Sequence, residues 1–186
     1  MPADAVRLVA LYEDRAQEAF VRGLTRRLGL RPERLIRCGD CERVVAALAQ
    51  ELQVTRARMT YQRNLGLLVV LDADAENGPA KRGGFSARLR WLEETVICSD
   101  TGGPRGADER ISFLVPALEI ESWYIHLCVP ALRPISEHTD YKESAPWRSL
   151  AEDLGKAAKE AMLVWEPPLV GEPASISAAR GELTRL

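Results

Sequence analysis

The chain has 186 residues, of which 46% are hydrophobic and 28% are charged, and its formal net charge is −2. This composition is typical of globular proteins and excludes a wholly disordered chain. The small negative charge also excludes a chain-wide basic field for nucleic acid or an anionic membrane, so any phosphate contact must be local.

Apolar runs and helical stripes alternate along the chain as far as residue 128. The patterns predict strands at residues 6–13, 35–38, 66–71 and 111–115, and helices at 15–28, 42–62, 86–97 and 118–127. This alternation predicts one α/β domain over residues 1–186, with a mainly parallel sheet between helical layers. Its core covers about residues 6–128. A long loop and helices at 148–163 and 176–186 form a helical C-terminal extension, at about residues 129–186.

The chain carries no signal for a membrane. No apolar run approaches the roughly 18 residues that a membrane span needs. The N-terminal segment is typical of a first strand rather than a signal peptide, so we expect a cytoplasmic protein. The four cysteines include one C-x-x-C pair, Cys38 and Cys41, without the second close pair that zinc requires. We expect reduced, mostly buried thiols, with a metal site or redox chemistry as alternatives.

Three acidic clusters follow three of the predicted strands. They are Glu13, Asp14 and Glu18 after the first strand, Asp72 and Asp74 after the third, and Glu119 and Glu121 after the fourth. The active crevice of such a sheet lies beyond the carboxyl ends of its strands. Neighbouring carboxylates repel each other unless a cation offsets the repulsion, and oxygen ligands in this number suit Mg²⁺ or Mn²⁺. If extended geometry continues through Ala73, Asp72 and Asp74 point to the same side. Aspartates are also common in turns, which is the structural alternative.

The order of these motifs resembles the Toprim domains of topoisomerases, primases and overcoming-lysogenization-defect nucleases. It is most similar to small stand-alone Toprim-like proteins of bacteria. The resemblance rests on LYEDRAQEAF, the D-x-D of LLVVLDAD, PALEIESW and DYKES, and covers residues 6 to about 128 and, more loosely, the C-terminal tail. Family spacing fits Asp14 with Glu18 rather than Glu13 with Glu18. Arg15 replaces the glycine that usually follows the first acid, so Glu13 and Asp14 both stay candidates for the first site acid.

The resemblance implies a Mg²⁺- or Mn²⁺-dependent nuclease that cleaves nucleic-acid phosphodiesters, as an effector in bacterial phage defence or DNA repair. Catalytic candidates are then Glu13, Asp14 and Glu18; metal-ligand candidates are Asp72, Asp74, Glu119 and Glu121. The family context also implies a partner ATPase. The chain itself lacks a P-loop motif, so another protein would have to supply any energy-dependent step.

Three basic residues are candidate phosphate contacts. Lys81 and Arg82 follow the D-x-D on a glycine-bearing loop that would allow close backbone approach, and Lys142 lies in DYKES. A solvated basic loop is the alternative for the first two.

Two other functions stay open. One is a Toprim-like binding module without catalysis, which the replacement of glycine by Arg15 favours. The other is a different metal-dependent phosphotransfer enzyme, in which Asp72 would be phosphorylated and Asp74 would act as acid and base. In enzymes of that class the nucleophile usually follows the first strand, whereas this D-x-D follows a middle one.

Overall fold

Four parallel strands form the central sheet. The computed structural model describes residues 5–74, 84–99, 103–137, 139–166 and 168–186. The strands are β1 (Arg7–Tyr12), β2 (Arg31–Arg37), β3 (Leu65–Val70) and β4 (Ile111–Leu114). They lie in the order β2-β1-β3-β4, and each adjacent pair is parallel. The prediction of one α/β domain with a parallel sheet between helices is confirmed.

Strand burial follows position in the sheet. All six residues of β3 are buried, as expected for an apolar interior strand that is covered on both faces. β2 is an edge strand and much of it is exposed. It begins at Arg31, earlier than the predicted start at residue 35, and includes Pro32. An edge strand tolerates proline, and the β1–β2 register is irregular next to the pair Leu8 and Pro32.

Seven α-helices surround the sheet of the described chain. They are α1 (Arg15–Arg27), α2 (Cys41–Met59), α3 (Phe85–Cys98), α4 (Ile120–Cys128), α5 (Ala145–Ala151), α6 (Leu154–Leu163) and α7 (Ala174–Leu183), with a 3-10 turn at Pro130–Leu132. The prediction of one helix at 148–163 is wrong, because two helices occupy this stretch. The side chain of Asp153 accepts the Lys156 N–H and so begins a new helix within it.

The two faces of the sheet have separate cores. Leu8, Ala10 and Tyr12 of β1 join one core, and Val9 and Leu11 join the other, because successive side chains of a strand point to opposite faces. The first core contains residues of α1, α4 and α6, and the second contains residues of α2 and α3.

An aromatic group fills the first core. The ring of Phe20 lies 5.5 Å from those of Trp123 and Trp165 and 5.9 Å from that of Tyr124, in edge-to-face contacts. Trp123 is fully buried. These rings join α1 to α4 and to the C-terminal extension, so the extension is part of the same core.

The last helix covers the outer edge of β4. The Ser112 hydroxyl donates to the Glu182 carbonyl oxygen at 2.8 Å, and the Phe113 N–H donates to the Glu182 carboxylate at 3.0 Å. Arg105 pairs with both Glu182 and Glu93 and holds this carboxylate in place. Glu182 therefore accepts a hydrogen bond from a backbone N–H at the edge of the described sheet, where no further strand lies.

The cysteines are less buried than expected. All four are free; Cys98 is exposed, and Cys38, Cys41 and Cys128 are partly buried. Cys41, Cys98 and Cys128 are terminal residues of helices and Cys38 directly follows β2, so these positions lie at the margins of the cores and the expectation of mostly buried thiols is wrong. No helix among the described residues has both the length and the apolar character needed to cross a membrane.

Candidate functional site

The turn after β1 fixes the first pair of acids. Asp14 is the N-cap of α1, and its Oδ1 accepts the Gln17 N–H at 3.0 Å. The Gln17 side chain in turn accepts the Glu13 N–H at 2.8 Å. This reciprocal arrangement resembles a capping box. It commits one oxygen of Asp14 to the helix and leaves the Glu13 carboxylate free to reach across the sheet.

Asp72 links the ends of three strands. Its N–H donates to Glu13 Oε1 at 3.0 Å, which joins the end of β3 to the end of β1. Its Oδ1 accepts the Ile120 N–H at 3.0 Å, which joins the same point to the start of α4 after β4. The side chain is buried, with a relative exposure of 7% for the residue. The order β2-β1-β3-β4 makes this possible, because β1 and β4 both lie next to β3.

Burial and mutual repulsion make this cluster hard to ionise. Burial raises the pKa of Asp72 well above its ordinary value, and the charges of Glu13, Glu121 and Asp14 raise it further. Burial also raises the pKa of Glu13, with a further contribution from Asp74. Carboxylates that repel each other in a desolvated site favour protons or a cation among them. Acids from the ends of β1 and β3 and from the start of α4 therefore lie close enough to influence one another.

The first turn of α4 adds two carboxylates. Burial raises the pKa of Glu121 to about 7, and the charges of Glu119 and Asp14 add to the effect, whereas Lys142 opposes it. Burial also raises the pKa of Glu119. Within the described chain, Oε2 of each glutamate is buried and accepts no hydrogen bond. Buried polar atoms are nearly always satisfied, so these two oxygens have unused capacity to bind a ligand.

Lys142 brings a positive charge to the cluster. Its Nζ lies 2.6 Å from Glu119 Oε1, and its N–H donates to the Asp140 side chain at 2.9 Å. Burial alone would lower the pKa of Lys142, but the hydrogen bond to Glu119 and the charges of Glu121 and Asp72 raise it above its ordinary value. Lys142 thus comes from the loop before α5 and partly neutralises the acids.

Asp74 adopts a different orientation from Asp72. β3 ends at Val70, and the backbone of Asp74 has a φ of 57°, in the left-handed region. The extended geometry that would have placed both carboxylates on one side does not reach Asp74. Its Oδ2 instead accepts a hydrogen bond at 2.5 Å from the guanidinium of Arg88, which is fully buried in α3. Asp74 nevertheless lies close enough to Glu13 to raise its pKa.

Sequence reasoning did not identify Arg88. The signal was present, because Arg88, Leu92 and Val96 follow each other at four-residue spacing on the buried face of α3. A charged residue in such an apolar stripe needs a partner and therefore suggests a buried ion pair. Its guanidinium also lies 5.3 Å from the ring centre of Trp91.

Three other candidates lie apart from the cluster or cannot be placed. Glu18 pairs with Arg22, one turn further along α1, at 2.9 Å. Lys81 and Arg82 lie outside the described residues. Glu18 therefore has a local partner, and Lys142 is the predicted phosphate contact that the structure places beside the acids.

The described residues contain no group of three or more His, Cys, Asp or Glu side chains already arranged to bind one metal ion. The cluster has instead two buried carboxylate oxygens without a hydrogen bond, and ion pairs of Glu119 with Lys142 and of Asp74 with Arg88. Comparisons of the chain with protein-family models, with curated proteins and with solved structures found no match.

Proposed function

We propose that the chain is a Toprim-like nuclease that uses Mg²⁺ or Mn²⁺ to cleave nucleic-acid phosphodiesters. The observation that carries the proposal is that Asp72 contacts both Glu13 and the backbone N–H of Ile120 at the start of α4, which ties together the ends of three strands that carry acids. In this proposal the protein is a cytoplasmic effector of phage defence or DNA repair and works with a partner ATPase. The modest net charge fits a protein that depends on a partner to reach nucleic acid.

The residues of the cluster suit a hard divalent cation. Carboxylate oxygens are the ligands that Mg²⁺ and Mn²⁺ prefer. Asp72, Glu119 and Glu121 would hold the ion, because the last two each have a buried oxygen without a hydrogen bond. A cation there would also relieve the repulsion that raises the pKa of Asp72.

The chain's own groups supply the remaining chemistry. A bound divalent ion neutralises a phosphate and lowers the pKa of a water molecule. Without an ion the pKa of Glu121 is about 7, so a proton and a cation would compete for its carboxylate near neutral pH. Lys142 carries a positive charge at the edge of the cluster, where a phosphate oxygen could replace Glu119 as its partner. Asp72 holds Glu13 in place through its backbone N–H.

Glu13 is the better candidate for the first site acid. Its carboxylate contacts Asp72, whereas one oxygen of Asp14 is committed to the N-cap of α1. Asp14 still adds negative charge to the cluster, since it raises the pKa of Asp72 and of Glu121. We therefore assign Glu13 to the site and Asp14 to the helix start.

A nuclease assay tests the proposal. Purified protein is incubated with plasmid DNA, single-stranded DNA and RNA, with and without Mn²⁺. The variants are Asp72→Asn, Glu121→Gln and, as a control, Glu94→Gln, which replaces an exposed acid of α3. We expect Mn²⁺-dependent cleavage that the first two variants lose and the control keeps. Calorimetry with Mn²⁺ on the same proteins gives a readout that does not depend on activity.

The two readouts separate the competing functions. Mn²⁺ binding that needs Asp72, without cleavage of any substrate even when the partner is supplied, would support the binding module. Absence of both binding and cleavage would contradict a metal-dependent enzyme. An aspartyl-phosphate mechanism has less structural support, because Asp72 is buried and its Oδ1 already accepts the Ile120 N–H.

A further inference from the structure

A basic basin lies at the opposite end of the sheet from the acids. Two adjoining cavities of about 760 Å³ and 520 Å³ share Thr60, Arg63 and Arg110 in their walls. They lie beside the amino end of β3, which begins at Leu65. At about 3.3 Å per strand residue, this end is roughly 20 Å from Asp72. The basin is therefore separate from the proposed metal site.

Arginines outnumber acids in the walls of the basin. The walls contain Arg56, Arg63, Arg110 and Arg185, against the carboxylates Asp108 and Glu109. Glu109 is already taken, because it lies 2.7 Å from the guanidinium of Arg56. The basin therefore has more positive than negative charge, in a chain whose net charge is negative.

Arg63, Arg110 and Arg185 retain free donors among the described residues. Arg110 donates to the carbonyl oxygen of Arg63 at 2.5 Å, which holds its guanidinium at the basin. Among the described residues, no carboxylate lies within ion-pair distance of Arg63 or Arg110. Arg185 donates to the Gly106 carbonyl oxygen at 3.2 Å and lies 3.8 Å from Glu182, which is at the limit of an ion pair. Guanidinium groups with free N–H donors bind phosphate oxygens in a planar fork.

An exposed aromatic ring stands at the same rim. Tyr61 is 70% exposed, and it lines the basin together with Arg63 and the amide side chains of Gln62 and Asn64. A large ring this exposed contributes little to the fold. It offers a flat face on which a base can stack, next to arginines that can hold a phosphate.

We propose that this basin binds a phosphate group carried next to an aromatic base. Arg63, Arg110 and Arg185 contact the phosphate, and Tyr61 stacks on the base. Both a free nucleotide and a single strand of nucleic acid carry this chemistry. The site does not depend on the proposed nuclease, because it shares no residue with the acidic cluster and needs no metal ion.

Binding measurements in EDTA test this site apart from the nuclease. The probes are a fluorescein-labelled single-stranded oligonucleotide and a fluorescent ATP analogue, followed by anisotropy at low salt. The variants are Arg63→Ala and Tyr61→Ala. The matched control is Arg90→Ala, which removes an exposed arginine of α3 outside the basin. We expect each basin variant to weaken binding about tenfold, as the loss of one charged hydrogen bond or one stacked base would do.

The outcomes identify the ligand or overturn the proposal. Equal affinity for both probes indicates a nucleotide site, and preference for the oligonucleotide indicates a single-strand site. Failure of both probes to bind would contradict the proposal, and the arginines would then serve the carboxyl end of α2, which ends at Met59. Equal weakening by Arg90→Ala would also contradict it, since binding would then reflect overall charge. Glu94→Gln, which replaces an exposed acid of α3 outside the basin, should leave binding unchanged.

Discussion

Replacing Glu121 with glutamine should make the protein less sensitive to alkaline pH. The pKa of Glu121 rises from 4.5 to about 7 on folding, because burial and neighbouring acids disfavour its charge. A carboxyl group with a raised pKa stabilises the fold below its unfolded pKa. That stability is lost as the pH rises through the folded pKa. The wild-type protein should therefore lose stability between about pH 4.5 and pH 7 through this group.

The structure gives the size of this effect. A change of one in pKa corresponds to about 1.4 kcal/mol, so the rise in the pKa of Glu121 from 4.5 to about 7 corresponds to about 3 kcal/mol of unfolding free energy. Residue 121 is 3% exposed, so solvent screens this charge little. The amide of glutamine adds a buried donor that costs about 1–3 kcal/mol at every pH. This constant cost cancels when the difference between variant and wild type is compared at two pH values.

Urea denaturation in EDTA at pH 5 and pH 8 measures the effect. The unfolding free energy of Glu121→Gln minus that of wild type should increase by about 2–3 kcal/mol from pH 5 to pH 8. Glu94→Gln, which replaces an exposed acid, should gain none. If the two variants respond to pH alike, the raised pKa of Glu121 is wrong. In a separate denaturation at pH 8 without EDTA, added Mn²⁺ should stabilise the wild type more than Glu121→Gln.

Substitutions at three further positions test the core and the site. Phe20→Ala removes the centre of the aromatic group and should cost about 3–5 kcal/mol of unfolding free energy in urea, with Phe20→Leu costing less. Arg88→Ala leaves a cavity under α3 and should cost about 3 kcal/mol in the same assay, whereas Arg88→Met fills it and should cost less. Lys142→Met removes the charge that lowers the pKa of Glu121, so the pH midpoint of Mn²⁺ binding, measured by calorimetry, should move upward. A downward or absent shift would mean that Lys142 does not act on the cluster.

The buried strands of the sheet could be predicted because they are much more hydrophobic than the residues that flank them. The interior run at β3 is apolar throughout, and the run at β4 is apolar except for Ser112; the two runs are followed by acids and by proline, respectively. β2 was predicted too short, because an edge strand with exposed arginines lacks the apolar pattern of an interior strand. The break between α5 and α6 depends on one capping residue, Asp153, which hydrophobic periodicity does not reveal.

The convergence of the acids followed from parallel topology, but their exact roles did not. Any parallel sheet brings the carboxyl ends of its strands to one edge, so Glu13, Asp72 and Glu121 could be grouped from sequence. The partner of each acid depends on backbone turns a few residues long. The left-handed backbone of Asp74 turns its carboxylate toward Arg88, and the capping contact of Asp14 leaves Glu13 as the group that reaches Asp72.

Glu182 has a consequence for how this protein avoids self-association. An open edge strand offers unpaired backbone groups to any other chain, and many proteins aggregate through such edges. Here the Phe113 N–H is occupied by a carboxylate from α7, and Arg105 neutralises the charge that this carboxylate brings. The last helix thus blocks the addition of another strand at the outer edge of β4. Loss of α7 would open the outer edge of the fourth strand to pairing with a second molecule.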